Sequence, residues 1–428
     1  MTQHDSDTSA LGILVGGGPA PGINAVIAAA TIRARLSGAR VLGIRNGFEE
    51  LMKPGGDPAR DLHIHDVSRI HFRGGSALGT SRANPTRRDE DLDTVLGNLE
   101  RLGISRLITI GGDDTAFSAC RISERAGGKV QVVHVPKTID NDLDLPPSID
   151  TFGYQTARAV GVEILQNLMV DAKTTSRWYI VVAMGRKAGH LALGIGKAAG
   201  ATLTIIPEEF GTQTITLDAI VDTIVGSIIK RRAEGRKEGV VVLAEGLVLG
   251  IDLEQLSKLG PVERDAHGHI RISEIDFGDI VKREVRSRLE GFGLDTTVVS
   301  KNLGYELRCA DPISFDMDYC RDLGYCAAKY LLEGGSGCLI SMQGGRFVPL
   351  PFEDLLDGET GRMQVRLVDL ASTRYAIARR YMIRLRRDDF DSPECLELLA
   401  EACGLSPDAF RKRFEYLVDD ELPPLVLR

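Results

Sequence analysis

Short runs of apolar, β-branched residues alternate along the first half of the chain with longer stretches in which apolar positions recur every third or fourth residue. Leu11–Val15 reads as a strand and Gly22–Leu36 as an alanine-rich helix. In Asp91–Leu102 the apolar positions are Leu92, Val95, Leu96, Leu99 and Leu102, the spacing of one helix face. Strand Ile104–Ile110, a helix around Ala116–Arg125 and strand Val130–Val135 follow. Such strand–helix–strand alternation predicts a mostly parallel sheet with helices on both faces.

The alternation restarts with a long helix over about Tyr154–Val170 and strand Trp178–Ala183. Strand Thr202–Ile206, helix Leu217–Arg232, strand Val240–Ala244, helix Ile280–Leu289 and strand Thr296–Ser300 complete a second unit. The expectation is an α/β fold of two Rossmann-like, three-layer lobes, with mostly parallel sheets and an active-site cleft between them. Consecutive prolines stiffen a connection and block a helix, so Pro146-Pro147 marks the expected crossing. Two short strands, Cys338–Met342 and Phe347–Leu350, come next, and the rest is rich in Arg, Asp, Glu and Leu and reads mainly as helix. The expected domains are a flexible arm at 1–10, a first lobe at 11–150 completed by about 306–350, a second lobe at 151–305, and a mainly helical C-terminal extension at 351–428.

Composition narrows the function classes. The 428 residues suffice for two or three domains, and 43% hydrophobic with 26% charged residues is ordinary globular usage. A net charge of −8 argues against nucleic acid as the main partner. Seven cysteines, without a Cys-x-x-Cys pair, argue against a disulfide framework or structural zinc. Met1–Ala10 is short and polar, and no apolar run approaches the ~20 residues needed to span a membrane. A cytoplasmic protein with no membrane partner is expected.

Candidate chemistry lies in loops that follow strands. Gly16-Gly17-Gly18-Pro19-Ala20-Pro21-Gly22 opens directly into a helix, where backbone N–H groups favour an anion. Gly111-Gly112-Asp113-Asp114-Thr115 places two acids where open α/β sheets hold ligands, and an aspartate there suits the magnesium of phosphate chemistry. In Pro136-Lys137-Thr138-Ile139-Asp140-Asn141-Asp142 a carboxylate can take a proton from an attacking hydroxyl while Lys137 neutralises phosphate charge. Met184-Gly185-Arg186-Lys187 suits a sugar phosphate. Taken singly, each also fits a plainer reading: a tight turn, a helix N-cap, an Asn/Asp turn, a solvated basic turn. His63 and His65 have the spacing of one strand face, read as exposed rather than metal-binding because no third ligand is in view.

In this order the loops resemble the phosphofructokinases, over roughly residues 11–350. Gly17-Gly18 with Pro21-Gly22-Ile23-Asn24 is similar to the family's first phosphate loop, and Gly74-Gly75-Ser76-Ala77-Leu78-Gly79-Thr80-Ser81-Arg82 to its second. The Gly-Gly-Asp loop, Thr138-Ile139-Asp140-Asn141-Asp142, Met184-Gly185-Arg186, Ala244-Glu245-Gly246 and Leu303-Gly304-Tyr305-Glu306-Leu307-Arg308 complete the set. The resemblance implies that Asp140 is the general base for the sugar's 1-hydroxyl and that Asp113 holds Mg2+. It implies that Thr138, Ile139, Asp140, Met184, Gly185, Arg186 and Glu245 bind the sugar phosphate, with Tyr305 and Arg308 on its 6-phosphate. Arg177 matches an arginine supplied by a neighbouring subunit, implying a homodimer or homotetramer with shared active sites. Gly17 and Arg82 would serve the phosphoryl donor.

The donor implied is pyrophosphate. ATP-using members commonly carry glycine where this chain has Asp114, and like charges at ~4 Å repel by about 4 kcal/mol near a surface. Lys137 stands where bacterial ATP-dependent members often have glycine. Together Asp114 and Lys137 resemble the pyrophosphate-dependent subfamily, with fructose 6-phosphate as acceptor and sedoheptulose 7-phosphate or an ATP donor as alternatives. Pro19, Tyr305 and Cys309-Ala310-Asp311-Pro312 depart from the common pattern, which bears mainly on the sugar. A catalytically silent sugar-phosphate sensor would be expected to lack Asp140 or Asp113. A nucleotide kinase of the Gly-Gly-Asp type would leave the Met-Gly-Arg and Tyr-x-x-Arg elements unexplained.

Overall fold

The computed structural model describes residues 9–146, 149–211, 214–251, 275–359, 361–419, 421–423 and 425–427. Residues 1–8 of the expected arm and Pro147 of the expected crossing lie outside them. The chain divides into two compact units: residues 1–157 with 305–366, and residues 158–304 with 367–428.

In the first unit the described strands are β1 (Ala10–Val15), β2 (Arg40–Ile44), β3 (Ala59–Asp61), β4 (Ile104–Gly111), β5 (Gln131–Thr138), β6 (Phe152–Gly153), β11 (Cys338–Gln343) and β12 (Arg346–Pro351). Among the described residues they form one sheet in the order β12-β11-β5-β4-β1-β2-β3, with β6 paired to the end of β5. The pairs are parallel except at the two edges, β11–β12 and β2–β3. β1 is buried at every position, as its unbroken apolar run requires for a strand covered on both faces. Helix α1 (Ile23–Leu36) and helix Ser314–Leu332 share one core cluster with the sheet. A second cluster includes residues of α3 (Asp89–Arg101) and α4 (Asp113–Ala126). The alanines of α1 and Gly324, where a Cβ would meet the backbone of Val26, let the first helix pair pack closely.

Register determines what the loops can do. Val15 pairs with Ile110 and Gly111 with Pro136, so β1, β4 and β5 end side by side. The loops beginning at Gly16, Gly112 and Lys137–Thr138 therefore leave one edge of the sheet together.

The second unit is a parallel sheet in the order β10-β7-β9-β8, made of β7 (Trp178–Ala183), β8 (Leu203–Ile205), β9 (Gly239–Ala244) and β10 (Val298–Leu303). Ala183, Ala244 and Leu303 lie in register, which brings Met184, Glu245 and Gly304 together at their carboxyl ends.

Two expectations are corrected. The chain stays in the first unit past Pro146, to Ala157. Phe152 and Gly153 pair with β5, and the fully buried Asp316 carboxylate accepts bonds from Gly153 N–H (2.9 Å), Thr156 N–H (2.7 Å) and the Thr156 hydroxyl (2.6 Å). His63 and His65 are not on a strand: His63 is the N-cap of the short helix α2 (Ile64–Val67), and the two rings stack 5.5 Å apart. Most charged residues of the C-terminal segment are exposed, but several tie it into the second unit. Glu209 pairs with Arg379 (3.1 Å) and Arg384 (2.9 Å), Lys230 with Asp389 (2.6 Å), and the fully buried Asp222 with Arg413 (2.8 Å). Residues 367–428 are thus an integral part of the second unit.

Candidate active site

Glycines set the first corner. Gly16 and Gly111 both face the side chain of Thr115, which fills the space a Cβ would need at either position. Gly17 has φ +79°, and a Cβ there would stand 3.3 Å from Lys137 Nζ. The loop is laced to the Gly74–Arg82 stretch: Gly17 N–H donates to the Ser81 carbonyl (2.8 Å), and the Thr80 hydroxyl donates to the Gly17 carbonyl (2.6 Å). Arg82, next to Ser81, is exposed.

Lys137 occupies the centre of this corner. Its side chain is 5% exposed and its ammonium donates to the Gly18 carbonyl. Burial pulls its pKa from the usual 10.5 down to about 8, and Arg308 pushes the same way, while Asp140, Asp142 and Asp113 hold it up. A Cβ on Gly18 would stand 3.0 Å from Arg308 Nη1, and the Arg308 guanidinium lies 4.8 Å from the ring centroid of the exposed Tyr305. Two cations and three carboxylates thus act on one another around the Gly17–Gly18 turn. The arrangement can accept a compact polyanion with the strong charge-assisted hydrogen bonds of a low-dielectric site.

The acid doublet stands in the first turn of α4, with Gly112 as N-cap. The helix begins three residues before the expected Ala116. Acids in a first turn are favoured by the helix dipole by about 0.3–1 kcal/mol each. Asp113 is half-buried and Asp114 exposed.

Asp140 follows β5, its N–H donating to the Thr138 hydroxyl oxygen (3.0 Å). Ile139 is buried. Asn141 adopts φ +57°, and its side chain explains how: its amide donates to Asp150 (2.8 Å) and its oxygen accepts from Thr151 N–H (3.0 Å).

In the second unit, Glu245 N–H donates to the Ala183 carbonyl (2.9 Å) and Gly246 N–H to the Gly185 carbonyl (3.0 Å). Gly185, at φ +146°, donates to the Glu245 carboxylate at 3.4 Å. Met184, Gly185 and Glu245 are therefore one group, with Arg186 exposed beside it. Arg177 is not part of that group. It precedes β7 and lies 3.7 Å from Asp171, at the other end of a six-residue strand from Met184, about 20 Å away.

Residues 10–331 match the family model described as phosphofructokinase. The chain belongs to the phosphofructokinase family. Among relatives of this phosphofructokinase, pyrophosphate–fructose 6-phosphate 1-phosphotransferase of Naegleria fowleri is 52% identical, over 95% of each chain. The protein of the same name from Thermotoga maritima is 50% identical over 96% of this chain and 99% of its own. The solved structure of a pyrophosphate-dependent phosphofructokinase from Nitrosospira multiformis shares the fold, with a TM-score of 0.65 at 18% identity, covering 93% of this chain and 92% of that one.

Sequence reasoning missed the residues beneath the phosphofructokinase loops. His134 lies fully buried in β5, its Nδ1 2.8 Å from the Thr109 hydroxyl and its Nε2 3.0 Å from the Gly111 carbonyl. A carbonyl only accepts, so the proton is assigned to Nε2 and Nδ1 accepts from Thr109. The ring pins the glycine that opens the acid loop. A histidine set among Val132, Val133 and Val135 was the available signal. Burial pushes the His134 pKa down to about 3. The folded ring stays neutral where the unfolded one takes a proton, so stability falls as pH drops below about 6.5. The expected loss between pH 6.5 and 5 is about 2 kcal/mol from this group, and urea unfolding should show it shrinking in His134→Gln. An unchanged pH difference in that variant would exclude the assignment.

Proposed function

We propose that this chain transfers a phosphoryl group from pyrophosphate to the 1-hydroxyl of fructose 6-phosphate, reversibly, giving fructose 1,6-bisphosphate and phosphate in glycolysis and gluconeogenesis. The observation that carries this reading is the buried Lys137 ammonium, set against Gly17–Gly18 and acted on by Asp113, Asp140 and Asp142. The names of relatives at 50% identity and above over nearly the full chain support it.

In the proposed mechanism Asp140 accepts the 1-hydroxyl proton as that oxygen bonds to the transferred phosphorus. The bridging P–O bond breaks and its electron pair leaves with phosphate. Lys137 and Arg82 neutralise the donor's charge, with the Gly17 backbone alongside. Thr138, Ile139, Met184, Gly185, Arg186, Glu245, Tyr305 and Arg308 bind the sugar phosphate. Arg308, the cation proposed for the 6-phosphate, stands beside Gly18 and acts on Lys137. The exposed Asp114 presents a negative charge to any donor longer than pyrophosphate.

The residues suit a divalent metal. Asp113, Asp140 and Asp142 offer hard oxygen donors, yet among the described residues no three metal-binding side chains are gathered into a cage. That donor set fits Mg2+, which takes one or two carboxylates and completes its shell with substrate phosphates and water. We assign Asp113 to hold it, where bound Mg2+ would supply charge neutralisation of the phosphoryl oxygens.

Arg177 is proposed to act in the site of a neighbouring copy, in a homodimer or homotetramer, a reading supported by its distance from Met184 in its own unit. No described helix is long and apolar enough to cross a membrane. The seven free cysteines support the cytoplasm as the place of action.

Donor assays on the purified protein test the reading. Pyrophosphate is expected to drive bisphosphate formation, and phosphate with fructose 1,6-bisphosphate to drive the reverse. ATP turnover should be lower by about a thousandfold, the equivalent of roughly 4 kcal/mol of repulsion. Robust turnover with ATP and none with pyrophosphate would overturn it.

A further inference from the structure

The loop that carries Asp140 is held from a distant part of the chain. Arg366 is the last residue of the first unit before the chain passes into the second at Leu367. Its backbone N–H donates to the Asp142 carbonyl (2.9 Å), and just before it Val365 bridges Leu143 in antiparallel fashion. Its guanidinium then reaches over the loop. Nε and Nη2 each donate to the Asn141 carbonyl at 3.2 Å, and Nη2 also donates to Asn141 Oδ1. Nη1 donates to the carbonyls of Ile149 (2.7 Å) and Leu145 (3.4 Å).

These carbonyls belong to irregular chain, outside any helix or ladder that would satisfy them. A planar fork of five donors answers several at once, which an ammonium on a flexible stem cannot. Asn141 is held at its carbonyl and its side-chain oxygen while its backbone sits at φ +57°, where few non-glycine residues settle without support. Asp140 is the residue immediately before, so the direction in which its carboxylate leaves the chain follows from where Asn141 is fixed.

We propose that Arg366 is a positioning residue for catalysis, setting the Asp140–Asp142 loop in its reactive placement through Asn141 and Asp142. The proposal rests on the reading of Asp140 as general base. Arg366 is assigned no substrate contact, and its removal displaces the base without removing any group assigned to bind pyrophosphate or the sugar.

The test is steady-state kinetics on the full chain with Arg366→Lys and Arg366→Met beside Asp140→Asn, together with hydrogen–deuterium exchange of residues 139–146 and the melting temperature. Arg366→Met is expected to lower kcat by about a hundredfold, the cost of an ångström-scale misplacement. Both KM values should stay within about threefold, and exchange should rise in the loop. Arg366→Lys keeps the charge without the fork and should fall between, which also covers a Met variant that does not fold. Wild-type kcat and loop exchange in Arg366→Lys and Arg366→Met would overturn the proposal. So would a loss of kcat accompanied by a general fall in melting temperature and equal loosening of the whole chain. If Asp140→Asn keeps its turnover while the Arg366 variants lose theirs and loosen the loop, the base assignment fails and the positioning role of Arg366 stands.

Discussion

Asp140→Asn is expected to reduce kcat by about a thousandfold while fructose 6-phosphate still binds within a few-fold of the wild-type affinity. General-base catalysis contributes about 10²–10⁴ in rate, so a thousandfold loss, about 4 kcal/mol at the transition state, is the middle of that range. Asparagine has the same shape and can still take part in the N–H bond to Thr138, so the backbone has no reason to move. What it cannot do is accept the hydroxyl proton as the oxygen attacks. Binding and chemistry should therefore separate, calorimetry with fructose 6-phosphate giving a near-normal affinity and turnover collapsing. The prediction also depends on the neighbours of Asp140. Its carboxylate is among the groups that hold the Lys137 ammonium charged, so the substitution should lower the Lys137 pKa further and weaken pyrophosphate binding at alkaline pH. A variant with kcat within tenfold of wild type would show that another group takes the proton.

What the sequence made legible, and what it hid, follows from how far apart the partners lie along the chain. Strands β1, β7 and β9 read directly because burial on both faces requires unbroken apolar runs. The loops after them read because turns at strand ends need glycine, asparagine and aspartate for reasons local to the turn. Helix Ser314–Leu332 escaped notice because Asp316, Asp318, Arg321 and Asp322 blur its apolar face. Asp316 is nevertheless fully buried, and its role is to receive Gly153 and Thr156, 160 residues and more away. Arg366 left no local sign at all, since its partner Asn141 is 225 residues distant. The doublet Asp113-Asp114 was visible as chemistry yet misplaced as structure, because two glycines conceal a helix start that only the tertiary contact of Thr115 with Gly16 and Gly111 makes compact. Motif residues are thus readable where chemistry is local. The groups that hold them still are not.

Lys137→Met should make the protein more stable and nearly inactive. The sign follows from the pKa. In the folded chain Lys137 titrates near 8 against 10.5 when unfolded, so the unfolded state keeps its proton over that window and stability rises with pH across it. At pH 7 the buried charge therefore costs on the order of 3 kcal/mol, which a methionine of similar volume would not incur. Chemical denaturation at pH 7 should show the variant unfolding at higher denaturant concentration. The same charge is what a pyrophosphate needs. Losing a buried, preorganised cation should lower kcat/KM for pyrophosphate by about 10²–10³, the cost of removing one transition-state donor. Wild-type KM for pyrophosphate should rise above pH 8 as the ammonium loses its proton, and the variant should lack that limb. A buried charge that costs stability points to function rather than folding. Two outcomes would contradict the account: a variant that binds and turns over pyrophosphate within fivefold of wild type, or one that is markedly less stable at pH 7.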